Sequence, residues 1–471
     1  MNIVEVIRRE TAGLPANKIA VRTEAGALSY AELFRAVDTA AGFLRKQGVG
    51  RCARIGLAFP DGTDYIILSL AVLSLDAVLV PVPVSCSREI AADMLEKTAA
   101  GFLISPEDML ASGAIWMDAD CLPVHRGFFL TRCAPSVPLP EEFTDMKPAF
   151  IRFSSGTTGQ SKGVLLTHPA IIERTDAADQ ALNITSQDTI LWVLSMSFHF
   201  VVSILLFLRR GAAIWLCSES FPFSFLSAVR RGGGTFVYAT PFHYRTLIDS
   251  RALDTEALKG VRMAVSTAMK LSPEIADAFR KKFGFGLTEA YGIIEVGLPF
   301  VNAAGAKPEG SVGRALPGFE LKIRSADAHG AGEVLLRGPG MYSAYLSPWQ
   351  PRPPEEWFAT GDTGCLDQEG FLYLLGRSKD VINFAGMKVF PYEVEAVLDA
   401  CPGVRAARVY AEEHPHYGQL PCAQIEAEDG VTADEVLRHC YSHLVSYKVP
   451  KKIEIVPELE RTASGKIKRT A

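Results

Sequence analysis

The chain has 471 residues, of which 48% are hydrophobic and 21% charged, with a formal net charge of −5. That length exceeds one ordinary core and predicts two or more domains of a soluble globular protein. The acidic balance excludes nucleic acid as the main partner, because a phosphate backbone requires a basic face.

In chain order, "LSYAELFRAVDTAAGFLRKQG" opens on a capping box, Ser29 to Glu32, keeps helical apolar spacing and stops at Gly48. "ARIGLAF" then reads as a buried strand. The run from Tyr65 to Val84, broken by Asp76, Pro81 and Pro83, reads as a helix followed by a strand. Such alternation marks a sheet with covering helices. At 153–168, "FSSGTTGQSKGVLLTH" sets two early glycines, a cluster of hydroxyls and a lysine between strand-like runs, "PAFIRF" and "GVLLTH". The Walker A pattern needs Gly where Ser161 stands and Ser or Thr where Gly163 stands, so this is not a P-loop NTPase. The ingredients still suit an anion. Gly156 and Gly159 allow close backbone approach, Ser154, Ser155, Thr157 and Thr158 offer hydroxyl donors, and Lys162 adds a point charge.

From Ile190 to Leu208, "ILWVLSMSFHFVVSILLFL" carries no formal charge over 19 residues, enough to cross a bilayer. Its Ser195, Ser197, His199 and Ser203 argue otherwise, as do the N-cap-like "TSQD" before it and the "RRGAAIWL" turn and strand after it. A buried strand, loop and helix is expected, with no membrane span. "GGTFVYATP" and "KGVRMAVSTA" continue the α/β alternation. Beyond about residue 310, "GFELKIRSADAHGAGEVLLRG" predicts two antiparallel strands around a Gly-rich turn. After "GRSKD" (376–380), "PYEVEAVLDAC" is a helix with Pro391 in its first turn, and "VRAARVYAE" a strand. "TADEVLRHCYSHL" opens on a capping box, Thr432 to Glu435. The expected division is a large unit, 1–376, and a small α+β domain, 377–471. The nine cysteines are scattered, odd in number and form no C-x-x-C pair. That predicts a reduced, cytoplasmic chain without a disulfide framework or zinc site. The opening "MNIVEVIRRETAG" also lacks the apolar core of a signal peptide.

Taken in order, these stretches resemble the adenylate-forming superfamily of acyl-CoA synthetases, nonribosomal-peptide adenylation domains and luciferases, closest in kind to acyl or aryl acid ligases. "SSGTTGQSKG" is similar to its phosphate loop and "YGIIE" (291–295) to its Y-G-x-T-E motif. "TGD" (360–362) is similar to the ribose-binding aspartate motif, "GRSKDVINFAGMKVFPYEVE" (376–395) to the hinge motif, and "RTASGKIKR" (461–469) to the terminal lysine motif. "SVGRALPG" (311–318) and "GEVLLRG" (332–338) also match family stretches, so the resemblance covers nearly the whole chain.

The resemblance implies a fold of α/β plus α+β class. A large N-terminal domain of mixed α/β layers with a β-barrel-like part is followed by a small, mobile C-terminal α+β domain. It implies a ligase using ATP and Mg²⁺, which makes acyl-AMP and passes the acyl group to a thiol of CoA or of phosphopantetheine on an acyl or peptidyl carrier protein. Ser154, Ser155, Gly156, Thr157, Thr158, Gly159 and Lys162 would hold the phosphates. Glu295 and Thr158 would face Mg²⁺, a hard cation suited to oxygen ligands. Tyr291, Gly292 and Ser266 would border the adenine side, Asp362 would accept the ribose hydroxyls, and Arg377 would support it. Lys466 would reach the reacting carboxylate and α-phosphate, where developing charge needs a cation. Lys379 would be the hinge, and Gly386 would line the thiol's tunnel.

Three positions depart from the family pattern. Ile294 stands where Thr is usual, "STAMKLS" (266–272) lacks the paired glycines of the adenine-side loop, and Asn383 replaces a commonly basic residue. Near "FHFVVS" (198–203) no acidic residue is present to pair with a substrate ammonium, which disfavours an α-amino acid. His199 resembles the histidine bordering the carboxylate in acyl ligases. Phe198, Val202, Ser203, Ala268 and Ile293 are the other expected lining residues, and their mostly apolar character predicts an aliphatic or aromatic carboxylic acid. The alternative reading, motivated by Ile294, is a non-catalytic nucleotide-binding regulator; a luciferase-like oxygenase is a third. Retention of Lys466 argues against the regulator.

Overall fold

The computed structural model describes residues 1–84, 86, 88–106, 122–125, 128–133, 139–153, 162–217, 220–302, 305–328, 330–385, 387–462 and 466–469. Among these residues four sheets form. One nine-stranded sheet has parallel neighbours Arg54–Leu57, Val78–Pro81, Phe102–Pro106 and Pro148–Phe153 near its middle. Pro148–Phe153 turns back as Gly163–Thr167, antiparallel, with Phe153 opposite Gly163. A second, eight-stranded sheet runs parallel through Ala213–Leu216, Thr189–Trp192, Phe236–Ala239, Met263–Ser266 and Thr288–Ile293. The parallel strands read as continuous apolar runs because helices cover both faces.

The capping boxes at Ser29 and Thr432 both form, each side chain accepting from the amide three residues on. The apolar run 190–208 resolves as expected into the strand Thr189–Trp192, a loop, and a helical segment from Phe200 to Arg209. No helix of the described residues is long and apolar enough to cross a membrane. The "TSQD" stretch corrects one expectation. It caps no helix: Asp188 Oδ2 accepts from Thr185 N at 2.9 Å, closing a turn, and pairs with Arg262 ahead of a strand.

Beyond residue 310 the chain forms the expected antiparallel sheet, Glu320–Arg324, Gly332–Arg337, Phe358–Leu366 and Leu372–Arg377. The smaller C-terminal unit has its own sheet, centred on Val404–His414 and Gly418–Ala427, and its own core of Ile382, Val394, Leu398, Val409, Ile425 and Val436. Its helix Pro391–Asp399 packs on the strand Leu372–Arg377, which ends at the junction of the two units. Lys270 of the larger unit lies 5.8 Å over the Tyr392 ring.

Asp399 ends that helix beside Glu395 and Glu274, and burial with those two carboxylates pushes its pKa up to about 8 against the pull of Lys270. A raised carboxylate stabilises the fold fully below its unfolded value and loses that contribution as pH rises through about 8. Asp399→Asn is therefore expected to match wild type at pH near 4, and to melt several degrees higher above pH 8. Thermal melts at both pH values check it.

Candidate functional site

Strand register builds the first part of the site. Asp362 and Arg377 face each other across an antiparallel pair, and Arg377 Nε meets Asp362 Oδ1 at 3.0 Å. The Asp362 amide is held by Thr360 Oγ1 at 3.0 Å, and Arg377 Nη1 donates to Thr360 O at 2.9 Å. Tyr291, on the strand Thr288–Ile293, donates its hydroxyl to Asp362 Oδ2. Burial raises the Asp362 pKa, with Arg377, Tyr291 and Lys466 opposing. Asp362 is 4% exposed, an acceptor that already holds two partners and can still take hydroxyl donors. A Cβ on Gly292 would meet Gly297 O at 2.4 Å, so only glycine fits beside Tyr291.

The second part joins Lys162, Tyr345 and Glu295. The strand Ala344–Leu346 pairs with Gly163–Thr167, and this brings the Tyr345 ring to 5.0 Å from Lys162 Nζ. Tyr345 donates to Glu295 Oε1 at 3.3 Å. Burial pushes the Glu295 pKa up, against its own backbone amide, Arg152 and Tyr345. No cluster of three or more metal-ligating side chains occurs among the described residues. The buried Glu295 carboxylate, near Lys162 through Tyr345, fits Mg²⁺, which favours one or two carboxylates plus substrate phosphates. Residues 154–161, and with them Ser154, Ser155, Gly156, Thr157, Thr158 and Gly159, lie outside the described residues, as does Gly386.

The third part is built on an unusual turn. His199 precedes a π-helical segment, Phe200–Leu205, a geometry that recurs at functional sites. Ser203 donates its hydroxyl to His199 O, so it fixes the turn from a buried position. Asp61 Oδ1 accepts from Met196 N at 2.8 Å and anchors the preceding loop. Burial, Arg152, Lys466 and His243 hold the His199 pKa down to about 3, so its ring is neutral. His243 is likewise lowered to about 4 by burial. Val202, Ile293 and Ile294 are half-buried and pack against the main core, while the Phe198 carbonyl accepts from Arg152.

Lys466 closes the arrangement from the C-terminal unit. Its segment is held by Thr462 N donating to Lys466 O at 2.7 Å and by Arg469 pairing with Glu395 at 2.6 Å. Lys466 is open to solvent in the cleft, yet the surrounding protein, Arg152 and Arg377 pull its pKa down to about 8 against Asp362. The charge partners of Lys466 and His199 overlap at Arg152, so one region holds Lys466, His199, Arg152, Asp362 and Arg377. Two expected residues stand apart from this chemistry. Lys379 is exposed on the turn Ser378–Asp380. Ser266 is fully buried at a strand end, its hydroxyl without a hydrogen-bond partner among the described residues. Ala268 adopts φ +69°, a conformation that favours the glycine this loop lacks.

Arg152, Tyr345, His243 and Asp61 were not among the residues that the sequence pattern nominated. Arg152 alone carried a signal, a charge inside the apolar strand run "PAFIRF".

Comparison with known proteins bears on the same region. The model of AMP-binding enzymes matches residues 7–346, and that of the AMP-binding enzyme C-terminal domain matches 393–466. A probable CoA ligase (CCL9) of Humulus lupulus is 31% identical, covering 94% of this chain and 90% of its own. A feruloyl-CoA synthase of an Amycolatopsis species is 28% identical, covering 95% of this chain and 94% of its own. ATP-bound MatB of Rhodopseudomonas palustris shares the fold, with a TM-score of 0.85 at 23% identity over 99% of this chain and 97% of that one.

Proposed function

The chain belongs to the AMP-binding enzymes and is an acid ligase of the acyl-adenylate-forming kind, and from that premise we propose its substrate, acceptor and residue roles. The substrate is a non-amino carboxylic acid, aliphatic or aromatic. The single observation that carries this is the convergence of Lys466, Arg152 and the neutral His199 on one region. Such a set suits an anion and opposes an ammonium.

In the first half-reaction a carboxylate oxygen attacks the α-phosphorus of ATP, and pyrophosphate leaves with the bonding pair. Lys466 balances the charge gathering on the α-phosphate. Lys162 and the 154–161 loop hold the outgoing pyrophosphate. Asp362, set by Tyr291 and Arg377, takes the ribose hydroxyls. Glu295 would hold Mg²⁺, which when bound neutralises phosphate charge. In the second half-reaction a thiol sulfur attacks the acyl carbon and AMP departs.

CoA is the proposed acceptor, supported by relatives named as CoA ligases; a carrier-protein phosphopantetheine is the acceptor to test beside it. We place the domain boundary at 376/377, with the unit 377–471 rotating about Lys379 between the half-reactions. The short turn Ser378–Asp380, which links the strand Leu372–Arg377 to the C-terminal unit and exposes Lys379, supports this.

Pyrophosphate release with ATP, Mg²⁺ and a panel of fatty, benzoic, cinnamic and amino acids tests the reading. Release with one non-amino class, followed by thioester on adding CoA, is the expected result. Release with amino acids, or with no acid at all, contradicts it.

A further inference from the structure

Arg152 contributes charge to the site but has no atom-level role in the two half-reactions described above, and it is a charge neighbour of both His199 and Lys466. It lies on the strand Pro148–Phe153, opposite Val164. Its Nη1 donates to the Phe198 carbonyl, the residue before His199. Its Nε is buried and has no hydrogen-bond partner among the described residues. Among those residues Glu295 is the acidic group that favours its charge, and burial of Glu295 itself favours the protonated, uncharged form.

The neighbouring Arg174 makes a useful contrast. It is fully buried, and its guanidinium donates to Gly340 O and Ile294 O, so main-chain acceptors occupy it as a structural tie. Arg152 keeps a donor unmatched while three further cations, Arg174, Lys466 and Arg377, lie in the same region. Arg152 is half-buried, and a guanidinium partly withdrawn from water with a buried donor unmatched suits an anion or a further acceptor. That excess of positive charge is incomplete without an anionic ligand.

We propose that Arg152 binds the reacting carboxylate of the acid substrate, beside the neutral ring of His199 and across from Lys466. The assignment rests on the acid-ligase reading and deepens it. The tether to Phe198 O puts the guanidinium on the acid side, whereas Arg377 is committed to Asp362 on the ribose side. A planar guanidinium offers paired donors that match the two oxygens of a carboxylate. Arg152 also brings a polar donor into a site whose motif carries Ile294, a side chain with no hydroxyl. The same charge would repel an α-ammonium group.

The test compares wild type with Arg152→Gln and Arg152→Lys, using the acid that works best in the pyrophosphate-release panel and 4-coumarate as the first probe. Arg152→Gln is expected to raise KM for the acid roughly 10- to 100-fold, the loss of one charge-assisted hydrogen bond, with KM for ATP within about threefold. Arg152→Lys should recover part of the loss. A turnover-free readout is calorimetric titration of the acid into protein saturated with α,β-methylene-ATP, where Arg152→Gln should lose the same factor. Should Arg152→Gln not fold, Arg152→Lys carries the test with a smaller shift in the same direction. An unchanged KM for the acid overturns the proposal, as does a parallel loss for acid, ATP and thermal stability. If wild type itself accepts no acid, the ligase reading fails and this assignment with it. If wild type turns over and Arg152→Gln matches it, only the assignment falls.

Discussion

Replacing Lys466 with alanine is expected to slow acid-dependent pyrophosphate release by roughly 10²–10³-fold or more, the range seen when one preorganised donor to a developing oxyanion is removed. Transfer from supplied acyl-AMP to the thiol should stay close to wild type, because the proposed rotation of the unit 377–471 carries Lys466 away from the site before the thiol attacks. The two rates, measured separately, distinguish a lost cation from a damaged fold. Lys466 also predicts a pH dependence. Its pKa is held down to about 8 because the surrounding protein and the Arg152 and Arg377 charges disfavour its ammonium form. The ammonium is therefore present below pH 8 and lost above it, so kcat/KM for adenylation should fall on the alkaline side near that value. His199, at about 3, contributes no opposing acid limb in the working range. The alkaline limb should disappear from the residual activity of Lys466→Ala.

Asp362→Ala carries the second largest effect, on nucleotide binding. The carboxylate accepts from Tyr291 and pairs with Arg377 at 3.0 Å while nearly buried. Removing it deletes the proposed ribose acceptor and leaves a guanidinium and a phenol without their partner. Loss of hydrogen bonds to a charged group costs about 1.5–3 kcal/mol each, so KM for ATP should rise roughly 10²-fold or more. The acid's KM should move far less. Asp362→Asn keeps shape and one acceptor oxygen and should fall between the two. A melting temperature taken for each variant shows whether the loss is of the site or of the fold.

Local signals carried the fold a long way. The capping boxes at Ser29 and Thr432, Pro391 at a helix start, and the apolar strands on either side of residues 154–161 all depend on contacts within a few residues, and all form. "TSQD" misled because side chains suited to an N-cap also close turns before strands, and the residues after Asp188 pair in a sheet. The site was legible where it coincides with ordered motifs, as at Asp362, Arg377, Glu295 and Lys466. Arg152, Tyr345 and His243 escaped because their role depends on pairings distant in sequence. Tyr345 meets Lys162 only through strand register, and Arg152 reaches Phe198 across 46 positions. The concentration of positive charge around Arg152 was not legible either, since each cation comes from a different element.

The central claim is that a carboxylate oxygen attacks the α-phosphorus of ATP. An acid labelled with ¹⁸O in both carboxylate oxygens, turned over with ATP and CoA, tests it through mass spectrometry of the products. One ¹⁸O atom should appear in AMP, because thiol attack breaks the acyl carbon–oxygen bond and leaves the bridging oxygen on phosphorus. Label in inorganic phosphate with ADP formed, or AMP without label, would contradict the account.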